Sequence, residues 1–151
     1  SNDARKAVRL YHLIESLDSV RLAEKLNYQG QKQHKVMPVF LQLKTDCQLT
    51  KHGFSREEPL LAAIQINKLP YLKILGLMTL PPLTNDAEKS RPYFQKLKRV
   101  KEEMGKKLKQ DLLYLSMGTS QDFEVAIEEG ANIIRLGRSI FGFSHRGGKH
   151  E

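Results

Sequence analysis

The sequence predicts a parallel α/β fold. Three observations carry this: five short apolar runs, a helical pattern beside each of them, and no tight hairpin turn between any two. Parallel strands need crossover connections, so strand and helix must alternate along the chain. An open doubly wound sheet and part of a (β/α)8 barrel both fit that order. Length weighs against a complete barrel, because the chain has 151 residues and eight units take roughly 200–250. The chain reads as one domain over residues 1–143 and a polar tail over residues 144–151.

Each element has its own signal. Asn2 or Asp3 can cap a first helix over residues 4–11, and residues 13–17 form a strand-like run. Asp18 then caps a helix over residues 19–27, whose Val20, Ala23 and Leu26 recur at helical spacing. A polar loop over residues 29–35 precedes a buried strand over residues 36–43, with Pro38 near its start. After a loop over residues 44–54, Ser55-Arg56-Glu57-Glu58 reads as a capping box opening a helix to Asn67. The strand over residues 72–79 is ended by Pro81-Pro82, which can continue neither kind of ladder. Asp86 begins a long amphipathic helix to about Lys109, with Phe94, Leu97, Val100, Met104 and Leu108 on one side. A strand over residues 112–116 follows, then a helix over residues 121–129 stopped by Gly130. The last strand covers residues 133–136, and a short segment over residues 139–143 leads into the tail.

Composition narrows the class. Hydrophobic content of 40% and charged content of 28% fit a globular domain, and no apolar run approaches the roughly 20 residues of a membrane span. The first residues are polar and helical in pattern, which predicts no secretory leader. Cys47 cannot form an internal disulfide and lies in a polar loop, so it reads as incidental and points to a reducing, cytoplasmic compartment. The net charge of +8 raises nucleic acid as a partner, but the densest basic run, from Lys96 to Lys109, carries Glu102 and Glu103 and no aromatic residue. That distribution argues against a dedicated nucleic-acid face. The five histidines show neither HxxxH nor HExxH spacing, so no zinc site is expected. His52 has no visible partner and reads as solvated, as do the helical pairs Glu57-Glu58 and Glu128-Glu129.

The informative stretch runs from Leu113 to Gly142, where two apolar runs each end in small residues. Ser116-Met117-Gly118-Thr119-Ser120 follows one and Gly137-Arg138-Ser139 the other. Small residues at neighbouring strand ends leave amide N–H groups and hydroxyls uncovered, which is what a phosphate needs. Two ordinary strand-to-helix turns would read the same way. In either architecture the loops at the carboxyl ends of strands form the site, which also gathers Ser16, Asp18, Lys44, Thr45, Met78 and Thr79. Arg135 shares the orientation of Gly137 two residues on. A cation pointing inward needs a partner, so Arg135 is either a structural ion-pair member or a ligand contact.

LSMGTSQDFEVAIEEGANIIRLGRSIFG resembles the signature of the pyridoxal-phosphate homeostasis proteins, which share the barrel of the alanine racemase N-terminal domain. SNDARKAV, IESLDSVRLAEKLN, PVFLQLKT, KHGF, LKILGLMTLPP and RPYFQKLK extend the resemblance from Ser1 to about Gly142. It implies a cytoplasmic (β/α)8 TIM-barrel type of protein that binds pyridoxal 5′-phosphate (PLP), usually as a monomer and without catalytic turnover. Such proteins are thought to buffer or deliver the cofactor. By position, Ser116, Met117, Gly118, Thr119, Ser120, Gly137 and Arg138 would hold the phosphate, and Arg135 would lie near the pyridine nitrogen. Arg138 stands where the family has Thr or Ser, and Thr119 where it has Met.

The resemblance also implies an incomplete barrel. The family's AVSK-like segment with the Schiff-base lysine, its FGEN-like strand and its WHFIG-like strand have no counterpart here. About the last five β/α units remain, so PLP binding would be non-covalent at best. Lys44 is the one substitute nucleophile the spacing offers, and it reads as an ordinary charged residue. The first residue is Ser1 rather than Met, which is expected of a processed, cloned or truncated product. The expected partners are PLP and either the amino-terminal barrel portion or a second copy meeting the open sheet edges. Two other functions fit less: a PLP-dependent amino-acid racemase, which needs a lysine and a second acid/base, and a basic nucleic-acid-binding module.

Overall fold

The computed structural model describes residues 2–45, 53–55 and 58–142. Cys47, His52, Arg56, Glu57 and the tail over residues 144–151 lie outside the described residues. Five strands, β1 (Ile14–Leu17), β2 (Met37–Leu43), β3 (Leu72–Thr79), β4 (Tyr114–Thr119) and β5 (Ile133–Arg135), form one sheet in the order β1-β2-β3-β4-β5. Every neighbouring pair is parallel. The helices are α1 (Asn2–Leu10), α2 (Val20–Lys32), α3 (Pro59–Ile66), α4 (Arg91–Leu108), α5 (Phe123–Glu128) and α6 (Arg138–Phe141).

Strand order decides between the two architectures. A doubly wound sheet reverses direction at a switch point, whereas here each strand is laid beside its predecessor, always on the same side. That is the order of a barrel wall. The sheet is also strongly curled. Ser116 Oγ on β4 donates a hydrogen bond to Glu15 Oε2 on β1 at 2.5 Å. Three strand spacings would separate those strands by roughly 14 Å on a flat sheet, too far for a serine and a glutamate to meet. The concave face is therefore the inside of an arc of barrel wall.

Both faces have distinct chemistry. Met37, Val39, Leu41, Ile74, Leu77, Leu115 and Met117 project outward and are buried against Val8 of α1, Leu26 of α2, Ile66 of α3 and Phe94 and Leu97 of α4. Each such side chain contributes about 1.5–3 kcal/mol by leaving water. On the concave face the register places Phe40, Gly76 and Tyr114 in one row. The rings of Phe40 and Tyr114 stack across the glycine with centroids 5.5 Å apart. A Cβ on Gly76 would lie 2.7 Å from that of Tyr114, so glycine is what lets the row close.

Several boundaries differ from the sequence reading for physical reasons. α2 continues to Lys32, through the segment expected to be a polar loop, because Leu26 and Gly30 are buried and carry the helix across the sheet. Its cap is Ser19, which accepts from the Leu22 amide at 3.3 Å, while Asp18 accepts from the Ser19 hydroxyl. α3 starts only at Pro59, and just one arm of the capping box forms: the Ser55 amide donates to Glu58 Oε2 at 3.2 Å. The helix expected from Asp86 begins as a single 3-10 turn (Ala87–Ser90) with Asp86 capping it through the Glu88 amide. β4 begins two residues later than the apolar run, since Leu112 belongs to the core below the strand.

Candidate functional site at the β4 and β5 ends

Ser116 lies within β4 facing the concave side, and its hydroxyl is fully buried between two charges. It donates to Glu15 and accepts from Arg135 Nη1 on β5. Arg135 Nη2 donates in turn to the Thr79 carbonyl on β3 at 2.8 Å. Glu15 Oε2 and Arg135 Nη1 are themselves 4.0 Å apart, so the serine hydroxyl bridges an ion pair. Burial pushes the Arg135 guanidinium below its ordinary pKa, and the carboxylates of Glu15 and Asp122 oppose that shift. Arg135 is thus an anchored cation spanning three strands, with about a quarter of its side chain still accessible.

The second group forms beyond the strand ends. The amides of Gly137 and Ser139 both donate to Ser120 Oγ, at 3.3 and 3.1 Å. An oxygen that already accepts twice keeps its own hydrogen for an acceptor outside. A Cβ added at Gly137 would meet nothing within 4 Å, so this corner opens onto free space. Both amides are satisfied by Ser120 Oγ. An anion entering this open corner meets the hydroxyl hydrogen first and reaches the two amides once Ser120 Oγ turns aside, which makes the corner a candidate anion cradle.

The remaining residues of the predicted set shape these two groups. Met117 points away from the concave face into the core and is fully buried. Gly118 has φ +92, and a Cβ there would lie 2.6 Å from Ala126, so glycine lets β4 pass close to α5. The Thr119 amide and hydroxyl both donate to Asp122 Oδ1, at 2.7 and 3.0 Å, which fixes the turn before α5. Arg138 is exposed at the start of α6. Lys44 lines a cleft with Pro59, Lys96, Leu97 and Val100, among the outer helices. Glu15 is the residue sequence reasoning missed. The irregular β1–β2 register between Ile14 and Leu17 hides its inward orientation. Its signal was the need of Arg135 for an acid on a facing strand. Among the described residues no group of three His, Cys, Asp or Glu side chains could hold a metal ion.

A curled parallel sheet with a candidate anion cradle and an anchored arginine at its strand ends defines a barrel-type α/β protein. The chain belongs to the family described as alanine racemase, N-terminal domain, whose model matches residues 1–145. It is 41% identical over 130 residues to the pyridoxal phosphate homeostasis protein of Aquifex aeolicus, covering 86% of this chain and 57% of that one. The human protein of the same name is 37% identical over 142 residues, covering 90% of this chain and 52% of the other. Among solved structures, PipY of Synechococcus elongatus with PLP bound superposes with a TM-score of 0.84 at 33% identity, over 93% of this chain and 66% of that one. Alanine racemase from Clostridium difficile shares the fold, with a TM-score of 0.68 at 19% identity over 95% of this chain and 37% of the enzyme. The chain thus spans roughly half to two thirds of the length of the two homeostasis proteins and of PipY. No helix among the described residues is long and apolar enough to cross a membrane.

Proposed function

We propose that this chain is the carboxyl-terminal portion of a cytoplasmic, non-catalytic PLP homeostasis protein, and that it holds PLP without a covalent bond. The observation that carries the reading is the convergence of the Gly137 and Ser139 amides on Ser120 Oγ beside open space. The Ser120 hydroxyl, with the two amides once its Oγ turns aside, fits a phosphate, and PipY, which is similar over 93% of this chain, has a structure with PLP bound. PLP supplies an aldehyde and an electron-poor ring when bound. This chain's residues do the rest. Ser120, Gly137 and Ser139 would take the phosphate, the two amides exchanging Ser120 Oγ for a phosphate oxygen, and Arg138 would add positive charge at the rim. Arg135 would set a fixed cation near the ring nitrogen, which would keep that nitrogen unprotonated. Ser116 and Glu15 hold Arg135 in that orientation, while Met117, Gly118 and Thr119 fix the backbone of the cradle.

Titrating the chain with PLP and recording its absorbance tests the reading. Saturable spectral change is expected, weakened in Ser120→Ala. Borohydride reduction followed by mass spectrometry should then leave no lysine specifically modified. A stable pyridoxyl adduct on one lysine would refute non-covalent binding, and absence of any saturable change would refute the site.

A further inference from the structure

The site at the strand ends engages little of the +8 charge. Arg91 is already held by Glu88, Glu128 and Glu129 at 2.6–2.7 Å. The outer face of α1 and α2 is different. Arg5 and Arg9 stand one turn apart on α1, and Arg21, Lys25, Tyr28 and Lys32 fall on one side of α2 at helical spacing. All five cations are exposed, and none has a carboxylate within ion-pair distance among the described residues. Two clefts of about 550 and 400 Å³ run along this face and meet at Tyr28. Tyr28 is 54% exposed, and Lys32 Nζ sits 5.5 Å from its ring centroid.

Five cations around one ring repel each other. Glu24, the one acid lining these clefts, offsets only part of that charge and is in ion-pair contact with none of them among the described residues. A polyanion would offset the rest. The ring chooses among polyanions: carboxylate side chains would satisfy the cations but leave Tyr28 without a flat partner, whereas a nucleobase stacks on it. From Arg21 to Lys32 the helix advances roughly 16 Å, room for about three consecutive phosphates of an extended strand. The basic run of α4 lacks this combination, having two adjacent acids, Glu102 and Glu103, and no aromatic residue after Phe94, which is buried. We propose that the α1–α2 face binds single-stranded nucleic acid, its phosphates tracking the cations and one base stacking on Tyr28.

Fluorescence anisotropy of a labelled 12-residue poly(U), titrated with the full chain at rising salt, tests this. Saturable binding is expected, with a log–log salt slope of about −2, from three phosphates at roughly −0.7 each. Tyr28→Ala should weaken binding at least about fivefold and Tyr28→Phe less than twofold, as stacking predicts. Arg5→Glu with Arg9→Glu should weaken it about tenfold or more. The control pair Lys98→Glu with Lys101→Glu on α4, of equal charge change, should cost much less. Circular dichroism confirms that each variant is folded; all of these side chains except the half-buried Lys101 are exposed. Absence of saturable binding overturns the proposal, as does an equal loss in the control pair. Polyglutamate or anionic vesicles bound as tightly, with no effect of Tyr28→Ala, would also overturn it by showing a generic acidic partner.

Discussion

Arg135 shows how a single strand residue organises the concave face. A buried guanidinium needs compensation, and it is met by a neutral carbonyl, a hydroxyl and, through that hydroxyl, the carboxylate of Glu15. Removing the acid leaves a partly buried cation and a serine without its acceptor. Glu15→Ala should therefore lower unfolding stability by about 1–2 kcal/mol in denaturant titration. Glu15→Gln, whose amide oxygen still accepts from Ser116, should lose less. Equal losses in both would mean that charge, not the hydrogen bond, sets the contribution. At this scale the sequence was readable where residues announce themselves by type. Ser120, Arg135 and Gly137 stand out as small or charged groups at strand ends, and the structure gathers Ser120 with Gly137. Glu15 was hidden because β1 has only four residues and an irregular register, too short for a period of two to show.

Helix ends show where local rules hold and where they mislead. α5 stops at Gly130 with φ +96, its amide donating to Ile127 and that of Ala131 to Ala126, a Schellman motif signalled by the glycine itself. α2 and α4 end in the same motif without glycine. His34 at φ 49 and Lys109 at φ 50 take the left-handed position, and the following amides of Lys35 and Gln110 reach back to Gly30 and Gly105. No residue type marked these ends, which is why the end of α2 was read too early. Left-handed backbone costs a non-glycine residue roughly 1 kcal/mol, so His34→Gly and Lys109→Gly should each raise stability by about 0.5–1 kcal/mol. Gly130→Ala should lower it by about 1 kcal/mol, and thermal melts of the three variants would check the pattern. Arg91 ties the 3-10 turn and α4 to α5, and its hydrogen bonds hold the Glu88 and Glu129 carboxyls below their ordinary pKa. Depressed carboxyl values contribute stability that is present above the unfolded range, about pH 4, and is lost as pH falls through the folded values. The melting gap between the native chain and Arg91→Gln should accordingly be open at neutral pH and close in acid.

The whole molecule is an arc of barrel wall, and its order was legible because alternating strands and helices without hairpins leave few topologies. The choice between barrel and doubly wound sheet was not legible from pattern, since both use the same units; spatial strand order and curl decide it. Curl also determines what the arc exposes. Among the described residues β1 and β5 each pair with one neighbour only, so each leaves a row of backbone groups without a strand partner there. A closed barrel has no such edges, and edges of this kind pair with other chains. The relatives are longer by a third to a half of their own length, enough chain to supply further strands. Left without them, the arc should associate. Sedimentation velocity should show a weight-average mass that rises with concentration, and a dye that fluoresces on apolar surface should bind. Adding the amino-terminal portion of a relative should suppress both effects. Strictly monomeric sedimentation at all concentrations would mean that the concave face closes on itself, as the Glu15–Ser116–Arg135 bridge already begins to do.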